Sequence, residues 1–146
     1  MADINIFVSR IGKSTNLSLK QGTSSPGQPG DPGDDSLVTT VVPSQIIKWK
    51  VDPSPDPGRN NDITLKNVKA SDSSIDKYKN SQQLLVDEEY SAVEGVITGT
   101  VKASPPPPTS GQGPGAKSFE NYLIGFSVNS DSTNTEVWND PKIKMH

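Results

Sequence analysis

Cysteine is absent from these 146 residues, and histidine occurs once, as the last residue, His146. Without thiols there are no disulfides and no cysteine nucleophile, and the redox compartment leaves no trace. With one terminal imidazole, zinc and copper lack their usual ligands. A Ser-His-Asp relay likewise lacks a base held in fixed geometry. No stretch approaches the ~20 apolar residues that span a bilayer as a helix. No basic stripe exists either: lysines and acids are interleaved at a net charge of -3, which argues against nucleic acid as a partner.

The opening "MADINIFVSRIGK" lacks the marks of a signal peptide. Asp3 stands where a positive region belongs, and Ile6-Phe7-Val8 is too short for an apolar core. The expectation is a cytoplasmic protein, with export by a non-classical route left open.

What is present is turn chemistry and alternation. Hydrophobic residues make up 30 % of the chain, with 12 glycines and 13 prolines, which suits one small turn-rich domain over residues 1–146. Apolar and polar residues alternate in "DINIFV" (Ile4, Ile6, Val8), around Leu17 and Leu19, and in "QIIKWKV" (Ile47, Trp49, Val51). The same period runs through "VEGVITGTVK" (Val93, Ile97, Val101) and "NYLIGFSV" (Tyr122, Ile124, Phe126, Val128). "SLVTTVV", "DITLKNV" and "PKIKM", with Ile143 and Met145, complete a set of roughly eight strands. Pro/Gly/Asn/Asp/Ser clusters at 22–35, 52–61, 104–116 and 129–135 read as loops. Only "SIDKYKNSQQLLVDEEY" leaves room for a helical turn. The predicted fold is all-β: a two-sheet antiparallel β-sandwich, immunoglobulin-like or jelly-roll-like, with long Pro/Gly-rich loops.

From Gly27 the loop "SSPGQPGDPGDD" reads as three Gly-X-Y triplets, far too few for a collagen helix. Pro26, Pro29 and Pro32 favour a stiff extended path between two strands.

Oxygen ligands for calcium recur in "DPSPDPGRNND", at Asp52, Asp56, Asn60 and Asp62. The spacing resembles an EF-hand loop, yet Pro57 stands where that loop needs glycine and no bidentate glutamate follows. The same residues are what β-turns use. Calcium is thus the one cofactor to consider, against none at all. The run Asp87-Glu88-Glu89 offers carboxylates, but neighbours on one surface loop do not face each other across a cleft as glycoside hydrolysis requires. Pro105, Pro106, Pro107 and Pro108 form a polyproline stretch, either a rigid connection or a docking element. Trp49 belongs to the core. Trp138, beside Asn139 and Asp140, is either core or a stacking platform for a sugar.

Two segments carry a resemblance. "IIKWKVD" and "VWNDPKIKM", through Trp49, Asp140, Pro141 and Ile143, resemble the bacterial inclusion-body proteins of the AidA/PixA type. The likeness is confined to these two segments, and Asn139 separates the tryptophan from the Asp-Pro pair. That family implies a β-sandwich without a signal peptide, accumulation as ordered bodies, and sugar binding in some members. It implies no catalytic residue.

Two functions follow as expectations. The first is a non-enzymatic structural protein that associates with itself into an inclusion, filament or lattice. The second is a carbohydrate-binding module assisted by calcium.

Overall fold

The computed structural model describes residues 3–14, 17–21, 38–55, 57–70, 81–107, 118–130, 137–139 and 142–145. Eleven strands follow one another along them: β1 Ile4–Ile11, β2 Leu17–Gln21, β3 Val38–Val41, β4 Ile46–Val51, β5 Arg59–Asn60 and β6 Ile63–Ala70. Then come β7 Glu89–Ser91, β8 Val96–Thr100, β9 Phe119–Val128, β10 Val137–Asn139 and β11 Lys142–Met145. The described residues contain no helix; of the segment 74–90, where a helical turn had room, residues 81–88 are extended or bent, 89 and 90 begin β7, and 74–80 lie outside the described residues.

Two sheets form the sandwich. The five-stranded sheet runs β2-β1-β4-β8, with β5 pairing the far end of β1. The six-stranded sheet runs β3-β11-β9-β6-β7, with β10 also on β9. Strand β9, ten residues long, is central: β6 lies along one side, while β11 and β10 share the other in tandem.

The all-β sandwich is as predicted, but its pairing is not wholly antiparallel. β1 runs parallel to β4, with Ile6 opposite Trp49, and β3 runs parallel to β11, with Thr39 opposite Ile143. Alternation fixes which face of a strand is buried and says nothing of a neighbour's direction.

Between the sheets lies one apolar core. The five-stranded sheet contributes Ile6, Val8, Ile47, Trp49 and Ile97; the six-stranded one contributes Leu65, Val68, Tyr122, Ile124, Phe126 and Ile143. Val51 and Val128 are half-buried at its margin. Val93 departs from expectation. It was grouped with Ile97 and Val101 but is 72 % exposed. The reason is a two-residue turn at Glu94 and Gly95, both with positive φ, closed by hydrogen bonds between Val93 and Val96. This is the primed turn that matches the twist of a hairpin. Val93 therefore sits on the other arm, and the inward positions of β8 are Ile97 and Gly99, continuing to Val101.

Gly99 has a packing role. A Cβ there would come within 3.1 Å of the Trp49 ring and 3.4 Å of the Tyr90 ring. The indole lies over the bare backbone of β8, so a large side chain on one strand is matched by none on its neighbour.

Candidate functional site

The residues proposed for calcium are bound to other parts of the protein. Asp62 receives both Arg10 donors, Nε to Oδ1 and Nη2 to Oδ2, each at 2.7 Å. That bidentate guanidinium holds the Asp62 carboxyl below its ordinary value and raises Arg10 in turn. Asp52 directly follows β4 and is 7 % exposed. Its Oδ1 accepts the Ser54 N–H at 2.9 Å, a local turn, while Lys20 Nζ lies 3.7 Å from Oδ2. Asn60, on β5, donates its amide to the Gly12 carbonyl. Asp56 lies outside the described residues. Asp62 thus ties the start of β6 to β1, Asn60 ties β5 to the end of β1, and Asp52 lies within ion-pair reach of β2. No group of three or more acidic, histidine or cysteine side chains converges among the described residues.

For the sugar-platform residues, the backbone of Trp138 and Asn139 forms β10, with Trp138 opposite Gly125. Their side chains and Asp140 lie outside the described residues, as do Pro108 and the 22–35 loop. Pro105 and Pro106 are half-buried, Pro107 is exposed, and the Pro106 carbonyl accepts the Ser118 hydroxyl. This part of the proline run is therefore fastened to the start of β9. Asp87, Glu88 and Glu89 are exposed, and Glu89 accepts the Asn67 amide at 3.1 Å.

The most unusual group escaped the sequence reading. Glu120, on β9, is 1 % exposed and faces the core. Its Oε1 accepts two backbone N–H groups, from Leu84 at 2.8 Å and Leu85 at 3.1 Å. Among the described residues its Oε2 has no partner. Burial raises the carboxyl to about 7, against the pull of the two N–H groups and of the Lys102 charge. The signal was present in the sequence: in "SFENYLIGFSV", Glu120 has the same parity as Tyr122, Ile124 and Phe126.

Glu120 belongs to the six-stranded sheet, but what it holds lies against the other. Residues 84–86 run along the outer side of β8: the Val86 N–H donates to Thr100 and the Lys102 N–H to Leu84, at 2.9 and 2.8 Å. Leu85 also bridges to Val101. The Tyr90 hydroxyl accepts the Thr100 N–H at 3.4 Å and the Asp87 N–H at 3.0 Å. With the 93–96 turn at the other end, the described residues cover the outer edge of β8 except around Thr98.

No protein-family model matches the chain, and no curated protein sequence matches it significantly. Among the described residues no helix is long and apolar enough to cross a membrane.

Proposed function

We propose that the chain is a non-enzymatic structural protein that associates with itself, its copies joining through β3 at the end of the six-stranded sheet. The observation that carries this reading is the contrast between two edge strands, β8 of the five-stranded sheet and β3 of the six-stranded one. Strand β8 is covered by residues 84–86, by Tyr90 and by a tight turn. β3, by contrast, is paired among the described strands with β11 alone. Its sequence is Val-Thr-Thr-Val, with no charge and no proline, and Thr40 is exposed. Such an edge offers backbone donors and acceptors to another chain, and natural proteins usually place charge or proline there to prevent it.

Further support comes from the titratable groups. The two most displaced by burial, Glu120 and Tyr122, are enclosed in the core rather than set in a cleft. Self-association is also what the resemblance to the AidA/PixA type implies. A calcium-assisted carbohydrate module ranks second, because Lys20 and Arg10 already neutralise Asp52 and Asp62.

The test is the mass distribution of the untagged protein across concentration at pH 6, by mass photometry and sedimentation. The wild type should form dimers or larger species. Thr40→Lys should dissolve them while leaving the fold intact by circular dichroism, since like charges face each other across the paired edges. Thr98→Lys, on the covered edge, should change nothing at this pH. A protein that stays monomeric at high concentration would sink the reading.

A further inference from the structure

We propose that residues 84–86 form a releasable strap over a second pairing edge, latched by the Glu120 carboxyl, and that ionisation of Glu120 loosens it. The association that follows rests on the reading above. Two copies joined edge to edge through β3 form a closed twofold pair, which cannot grow. A second edge on the five-stranded sheet, opened on demand, turns such pairs into an open chain.

The geometry makes the strap separable from the rest of the sandwich. Along residues 84–86 the backbone donors are taken by Glu120 and by β8: Leu84 and Leu85 donate to the carboxyl and Val86 to Thr100. Gln83 Nε2 closes the segment on itself by donating to the Leu85 carbonyl at 2.9 Å. The Leu84 and Leu85 side chains, both in the core, keep the closed form dominant. Lifting the strap would free the Thr100 carbonyl and the Lys102 N–H beside the uncovered stretch at Thr98. With the Tyr90 hydroxyl also released from the Thr100 N–H, a continuous edge from Thr98 to Lys102 would result.

Among the described residues only one oxygen of the latch is satisfied. When Glu120 is neutral, Oε1 accepts both strap N–H groups and Oε2 carries the proton. When it ionises, a charged oxygen is left in the core without a partner, at a cost that only solvation relieves. Among the described side chains, the charged or titratable groups that bear on it are Lys102, at the end of β8, and Tyr122, two residues along β9. The strap and the residues before it contribute Gln82, Gln83, two leucines and Val86. Opposite Glu120 stands Ile143 of β11, and beyond it Thr39 of β3. Nothing among these accepts the charge directly. A carboxyl held near 7 in the closed form and near its ordinary value of 4.5 when solvated makes opening about tenfold more frequent at pH 8 than at pH 6.

Native-state amide exchange decides the matter, read as protection factors so that the intrinsic effect of base is removed. From pH 6 to pH 8 the amides of Leu84, Leu85, Val86 and Lys102 should lose about tenfold in protection. Ile124, deep in β9, serves as reference and should lose less. Glu120→Gln keeps the Oε1 acceptor without the charge, so its strap amides should show no such loss. A wild type without the loss, a variant that keeps it, or strap and Ile124 amides falling in step would overturn the latch. In parallel, mass photometry should show wild-type particles growing beyond dimers at pH 8 but not pH 6, with Glu120→Gln and Thr98→Lys blocking that growth. If the strap opens but particle size stays fixed, the edge-pairing half is wrong. If assembly ignores both pH and Glu120→Gln, the latch fails while self-association through β3 stands.

Discussion

The indole N–H of Trp49, on β4, donates to the phenolic oxygen of Tyr122, on β9, at 3.1 Å. The rings are 5.4 Å apart and tilted by 60°. This joins the two sheets by a directional bond inside a largely apolar core, and both side chains are fully buried. A pair of this kind fixes how the sheets sit on one another, because apolar contacts alone tolerate sliding.

Tyr122→Phe should therefore cost about 1 to 3 kcal/mol, the penalty for leaving a buried donor unpaired. Urea denaturation measures it. An unchanged midpoint would mean that the Trp49 N–H finds water or another acceptor.

Gly99→Val should destabilise by roughly 1 to 3 kcal/mol through overpacking against Trp49 and Tyr90. Gly99→Ala should cost less, since only one atom must be accommodated. If valine proves neutral in a thermal melt, the indole does not lie over β8 as described.

Stability should peak on the acid side of neutrality. Asp62 has a lowered folded value, so its contribution is present above the ordinary carboxylate range and is lost as pH falls through that lowered value. Glu120 has a raised one, so its contribution is complete below 4.5 and disappears as pH rises through about 7. The second effect amounts to about 3 kcal/mol between those limits. In Glu120→Gln this decline between pH 5 and pH 8 should vanish from denaturant titrations; its persistence would place the titrating group elsewhere.

Calcium and its chelators should leave the melting temperature unchanged, because a cation at Asp62 would have to displace Arg10. A melting temperature that rises with calcium in the wild type, and not in Asp62→Asn, would reinstate the metal. Arg10→Met should lower stability by no more than about 2 kcal/mol, since the carboxylate partner is part-exposed and regains water.

The sandwich was legible because its strands alternate, and alternation needs only the neighbours along the chain. Ile6, Trp49, Ile97, Tyr122 and Phe126 were placed in the core on parity alone, and parity held. Strand direction was not legible, because pairing β1 with β4 depends on a route through space rather than on a local pattern. Val93 was misplaced because a two-residue turn interrupts the alternation without interrupting the apolar spacing. The calcium ligands were legible as oxygens but not as bonded ones, since Arg10 stands 52 residues from Asp62. Glu120 had the parity of a core residue and was passed over because its chemistry suggested the surface.

The position of β11 also sets the order in which the protein can be completed as it is made. Residues 142–145 fill the gap between β3 and β9, so β3 leaves the ribosome roughly a hundred residues before β11, its partner among the described strands. The five-stranded sheet can assemble once residue 100 has emerged. The six-stranded one stays divided until the final strand inserts between two that already exist. Until β11 emerges, a nascent chain therefore carries Val-Thr-Thr-Val without its described strand partner, and contacts between chains on one polysome can compete with the native closure.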